Sequence, residues 1–94
     1  MSIEHVYDQI RGFAKARGAK RVILFGSRAR GDGFPRSDID LAVCGCSDFD
    51  GFVEDLQDRL RSLLQVDVVN LDEPVSKALL DDIRRDGKVL YEAV

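Results

Sequence analysis

Ninety-four residues with 45% apolar content suit one small domain with a modest core, expected to span residues 1–94. No apolar run is long enough to cross a bilayer, and Glu4, His5 and Asp8 interrupt the place a signal peptide would need, so no membrane association and a cytoplasmic location are expected. The net charge of −3 is unevenly spread: residues 1–36 carry +5 and residues 37–94 carry −8, without the basic stripe and interleaved aromatics of a nucleic-acid surface, so no direct nucleic-acid binding is expected.

Residues 3–16 place Ile3, Val6, Tyr7, Ile10, Phe13 and Ala14 at helical spacing, and Gly18 ends the pattern. His5, the only histidine, is expected on the exposed side of this helix. Residues 21–25 are a β-branched and aromatic strand that runs into Gly26-Ser27 and a short helical turn over 27–30. A strand ending in Gly-Ser at a helix start exposes backbone N–H groups and a hydroxyl, which can cradle an anion. Arg28 and Arg30 add charge-assisted donors beside it. Equally, Gly26 could serve only the turn and Ser27 only the cap. Residues 31–35, rich in Gly and Pro, read as a loop able to curl around a ligand.

Strand 37–43 follows, with Ile39, Leu41 and Val43 on one face and Asp38 and Asp40 on the other. Two carboxylates about 5 to 7 Å apart in a partly desolvated cleft repel by roughly 2 to 3 kcal/mol at an effective dielectric near 20. A hard cation that keeps several waters, such as Mg²⁺, fits such a pair. A solvated strand face, or a pair neutralised by Arg28, Arg30 or Arg36, accounts for it as well. Cys44 and Cys46 form Cys-Gly-Cys, a poor disulfide pair without further zinc ligands, and read as reduced thiols in or near the core.

Residues 49–64 carry Phe49, Phe52, Val53, Leu56, Leu60, Leu63 and Leu64 on one helical side. A strand over 65–71, a helix over 75–85 preceded by Pro74 and ended by Gly87, and a short strand over 89–91 complete the chain. Leu79, Leu80 and Ile83 on the last helix could be core or an exposed patch for a partner. The fold class is α/β, a small mixed sheet covered by helices.

The run Gly-Ser-Arg-Ala-Arg-Gly, with ten residues between Ser27 and Asp38-Ile39-Asp40, resembles the signature of the DNA polymerase beta-like nucleotidyltransferase superfamily. It looks most like the minimal nucleotidyltransferase (MNT) domains of bacteria and archaea, and residues 66–69 and 83–91 follow the same family pattern. The resemblance implies the minimal polymerase beta-like fold and a third carboxylate on a neighbouring strand. Asp67 is the candidate, set in a β-branched run with Val69 on its own face and Val66 and Val68 on the other. An edge-strand Asp67 facing water is the plain alternative, and Asn70 and Asp72 are weaker substitutes at the end of the run.

By the same resemblance, ATP would bind at Gly26, Ser27, Arg28 and Arg30, with two Mg²⁺ ions held by Asp38, Asp40 and Asp67 acting as the catalytic carboxylates. Nothing else in so short a chain would hold the acceptor. The MNT resemblance implies a helical HEPN partner, an RNase toxin that the MNT antitoxin silences by transferring AMP to a tyrosine. A binding-only antitoxin, or a small-molecule nucleotidyltransferase completed by a separate helical subunit, are the alternatives.

Overall fold

In the computed structural model, which describes residues 3–31, 38–62 and 64–93, four strands and four helices alternate along the chain. Helix α1 (Ile3–Ala16) buries Val6, Ile10 and Ala14, one residue per turn. It closes with Gly18 N–H donating to Lys15 O and Ala19 N–H to Ala14 O, the paired bonds of a Schellman ending. Strand β1 (Arg21–Phe25) runs into the one-turn helix α2 (Ser27–Arg30). Then come β2 (Ile39–Cys44), α3 (Phe49–Asp58), β3 (Val66–Asn70), α4 (Lys77–Asp86) and β4 (Lys88–Glu92).

The sheet order is β3-β2-β1-β4. β1 is antiparallel to both β2 and β4, whereas β2 and β3 are parallel and joined through α3, as parallel neighbours require. Alternation divides the sheet into two faces. Val22, Leu24, Ile39, Leu41 and Val43 join Val6, Ile10, Ala14, Phe52 and Leu56 in the main core under α1 and α3. The opposite face holds a smaller cluster of Phe25, Ala42 and Ile83, flanked by Ile23, Val69, Leu71 and Leu79. Ile83 and Leu79 therefore belong to the core, with Leu80 half-buried beside them.

Helix α3 stops at Asp58, six residues short of the expected 64. Arg59 N–H and Leu60 N–H both donate to Asp55 O, which closes the last turn. Arg61 N–H then donates to Gln9 Oε1 and Leu64 N–H to Ser62 Oγ. The physical reason lies in β3, which must begin beside Ile39. A helix advances only about 1.5 Å per residue, so the chain unwinds to reach that point. Leu60 and Leu64 still pack on the main core, from the loop; Leu63 lies outside the described residues.

Smaller differences sit at the element ends. β2 begins at Ile39, and Ser37, Arg36 and residues 32–35 of the expected loop lie outside the described residues. α4 begins at Lys77 because Ser76 Oγ accepts from Leu79 N–H and caps it. β4 spans five residues, with an irregular register against β1 between Val22 and Ile23.

One polar cluster ties the α1 end to α3. Asp55, 4% exposed, receives Arg17 Nε at 2.8 Å and Arg17 Nη2 at 3.1 Å. Arg17 Nη1 also reaches Asp48 Oδ2 at 2.8 Å, and Asp48 caps α3 by accepting from Gly51 N–H. The Arg17 hydrogen bond, reinforced by its charge, holds the Asp55 carboxyl below the usual range against the opposing effect of burial. Asp55 was hidden in the sequence on the stripe of Phe52 and Leu56, where a buried acid demands a partner.

Candidate active site

Register brings the signature residues together. Phe25 on β1 pairs with Asp40 on β2, and Asp40 pairs with Asp67 on β3. Paired residues project to one face of a sheet, about 5 Å from strand to strand, so Asp40 and Asp67 point the same way. Asp38 immediately precedes β2, near enough for its charge to act on Asp40. Asp40 is half-buried, while Asp38 and Asp67 are exposed. Burial pushes the Asp40 carboxyl above its ordinary range, and the charges of Asp67 and then Asp38 push it further. The three carboxylates therefore form one electrostatic unit.

The other half of the signature lies against the same carboxylate. Gly26 has φ 77° and ψ −159°, a backbone conformation open in practice only to glycine. A Cβ there would sit 2.5 Å from Asp40 Oδ2. Gly26 is thus both the turn and the surface on which Asp40 rests. It also occupies the N-cap position, so Ser27, half-buried in the first helical position, is not the cap. Ala29 is the buried residue of α2, and Gly31, with φ 81°, ends it.

Arg28 is half-buried on α2. Arg30, 42% exposed in its side chain, reaches Asp86 Oδ2 at 3.4 Å. Asp86, the last residue of α4, also receives Arg85 Nη2 at 3.0 Å, and its side chain is 11% exposed. The Arg85 hydrogen bond, aided by Arg30, keeps the Asp86 carboxyl below the usual range although burial opposes this. Sequence reasoning did not find Asp86, since 56 positions separate it from Arg30 and no periodicity marks it.

Asn70 and Asp72 are occupied elsewhere. Asp72 Oδ2 accepts from Gly45 N–H at 2.9 Å, and Asn70 Oδ1 accepts from Asp72 N–H at 3.0 Å. They fasten the ends of β2 and β3. Asp67 does stand on an edge strand open to water, with Gln65 Nε2 at 3.4 Å from its Oδ1. Cys44 and Cys46 are free, and Cys46 Sγ donates to Arg17 O. Among the described residues no group of three or more His, Cys, Asp or Glu side chains makes a metal cage by itself. An aspartate whose pKa is raised by burial and by the charges of Asp67 and Asp38 is nevertheless suitable oxygen chemistry for a hard cation, which also takes ligands from water and phosphate.

A family model described as "Polymerase beta, Nucleotidyltransferase" matches residues 8–93. The chain belongs to the polymerase beta nucleotidyltransferase family. A Methanocaldococcus jannaschii protein named "Putative protein adenylyltransferase" is 38% identical over 88 residues, covering 83% of this chain and 85% of that protein. A chain from the crystal structure of a toxin–antitoxin complex with AMP-PNP superposes with a TM-score of 0.71 at 25% identity, covering 93% of this chain and 73% of that one. A chain from a complex of tri-AMPylated Shewanella oneidensis HEPN toxin with MNT antitoxin gives a TM-score of 0.69 at 22% identity, over 98% of this chain and 74% of that one. The last likeness speaks for the fold. The expected small mixed sheet of the polymerase beta-like type and the nucleotidyltransferase class both hold. No helix among the described residues is long and apolar enough to cross a membrane.

Proposed function

We propose that this nucleotidyltransferase is an MNT-type antitoxin that transfers AMP from ATP to a tyrosine of a HEPN RNase toxin, with Mg²⁺ as cofactor. The observation that carries the proposal is the joining of both signature halves at Asp40: Gly26 packs on its carboxylate, and Asp38 and Asp67 load it electrostatically. The M. jannaschii relative bears the name of a protein adenylyltransferase, and the two toxin–antitoxin complexes that share the fold hold AMP-PNP in one case and a tri-AMPylated toxin in the other. Those findings favour protein as the acceptor.

In this reading the turn at Gly26-Ser27 receives the triphosphate, and Arg28 and Arg30 neutralise its outer oxygens. Asp38, Asp40 and Asp67 would hold the metal ions, which when bound supply the positive charge that activates the acceptor hydroxyl and stabilises the leaving oxygens. Asp67, exposed on the edge strand, takes the hydroxyl proton. The tyrosine oxygen bonds to the α-phosphorus as the bond to the β-phosphate oxygen breaks, and pyrophosphate leaves. No protein nucleophile is needed, because positioning and charge account for the step.

The test uses the chain with its HEPN partner and ATP labelled at either the α- or the γ-phosphate. Label reaching the partner from the α position only, on tyrosine, supports adenylyl transfer. Neutralisation of the toxin with no label on it would establish a binding-only antitoxin instead. Label on a small molecule, with the partner acting as a second subunit, would establish the remaining alternative.

A further inference from the structure

Helix α2 is one turn long, and a single turn does not hold itself, since fixing its backbone costs more than its hydrogen bonds return. Its position must come from outside. One anchor is buried Ala29. Another is Asp86, whose carboxylate lies at 3.4 Å from Arg30 Nη1 and is itself fixed by Arg85 at 3.0 Å. Asp86 is firmly placed. Ile83, one turn earlier on α4, packs on Phe25 and Ala42, the residues next to Gly26 and two past Asp40 respectively. On its other side Gly87 N–H donates to Ile83 O at 2.8 Å, and a Cβ at Gly87 would meet Ile23 Cγ2 at 2.8 Å, so the α4–β4 turn is pressed on β1.

We propose that Asp86 is a positioning residue for the nucleotide site: it anchors Arg30, and through Arg30 the turn of α2 that carries Ser27 and Arg28, against α4. This role rests on the nucleotide-binding reading of Gly26, Ser27, Arg28 and Arg30. Arg30 keeps 42% of its side chain exposed, so a polyphosphate can reach it. Arg85 is shared between Asp86 and Asp82, at 3.0 Å from each, so Asp86 keeps negative charge to offer Arg30.

The test compares Asp86→Ala, Asp86→Glu, Arg30→Ala and the Arg30→Ala/Asp86→Ala double variant in the full chain. Two readouts are taken: amide hydrogen exchange over residues 27–30, and affinity for ATP with Mg²⁺. Asp86→Ala is expected to speed exchange in 27–30 while leaving α1 unchanged, and to weaken ATP binding about threefold to tenfold. Asp86→Glu restores most of the affinity, and the double variant binds no worse than Arg30→Ala, because the two side chains act as a unit. Unchanged exchange, unchanged or tighter ATP binding, or additive losses in the double variant each overturn the role. A wild-type chain that binds no ATP with Mg²⁺ overturns the nucleotide-site reading and this role together, whereas wild-type binding with an unaffected Asp86→Ala overturns the role alone.

Discussion

Replacing Gly26 with alanine separates backbone strain from damage to the carboxylates. The conformation at φ 77° and ψ −159° costs a residue with a Cβ about 1 to 3 kcal/mol. The less flexible unfolded chain returns about 0.4 to 1 kcal/mol of that. A net loss of up to about 2.6 kcal/mol lowers Tm by up to about 20 °C in a domain of this size. The second effect is local. The new Cβ would stand 2.5 Å from Asp40 Oδ2, so the carboxylate must swing away by nearly an ångström to regain ordinary contact. A displacement of about 1 Å at reacting groups can cost on the order of 100-fold in rate. Gly31→Ala is the control for a positive-φ glycine on the same turn: at φ 81° and ψ 9° the left-handed helical region costs a Cβ about 1 to 2 kcal/mol, and among the described residues nothing lies within 4 Å of that Cβ. Melting curves and single-turnover adenylyl transfer on both variants make the comparison. Gly26→Ala is expected to lose transfer far beyond its loss of stability, with Gly31→Ala staying within a few-fold of wild type. Equal rates in the two variants would refute the reasoning that Gly26 seats Asp40.

Asp40→Asn should raise Tm at neutral pH while abolishing transfer. Because burial and like charges raise the folded pKa of Asp40, its favourable contribution is present below the ordinary carboxylate pKa and lost as pH rises through the raised value. The advantage of the variant over wild type should therefore shrink as pH falls toward about 4, which thermal melts across pH would show. Mg²⁺ should raise the Tm of wild type at neutral pH and leave that of Asp40→Asn nearly unchanged. Arg17→Ala strands Asp55 without its principal partner, so Tm should drop by several degrees while the folded fraction keeps its affinity for ATP. Ile83→Ala removes the buried contact of α4 with Phe25 and Ala42 and should cost about 2 to 5 kcal/mol in denaturant unfolding.

Legibility in the sequence followed the range of each interaction. The faces of β2 were readable because Ile39, Leu41 and Val43 alternate strictly with Asp38 and Asp40, and a period of two leaves one solution when one face is buried. The stripe of α1 was equally plain. The end of α3 was not, since Leu60 and Leu64 keep helical spacing yet pack on the core from a loop. Periodicity reports which side chains are buried, not the backbone that delivers them. Leu79 and Ile83 left core and partner surface equally open until the second face of the sheet was in view. The signature located Gly26 and Asp40 but not their contact, which depends on the register placing Asp40 opposite Phe25. Arg30–Asp86 and Arg17–Asp55 join residues far apart in the chain, and only the tertiary structure pairs them.

The most direct measurement of the central claim is the intact mass of the HEPN partner after incubation with ATP, Mg²⁺ and either wild type or Asp67→Asn. Asp67 is exposed on an edge strand, so its replacement leaves the fold and the neighbouring Asp40 in place. With wild type the partner is expected to be heavier by one or more adenylyl groups, and with Asp67→Asn it is expected to be unmodified. A modified partner in both reactions would show that the third carboxylate is dispensable, and an unmodified partner in both would contradict adenylyl transfer itself.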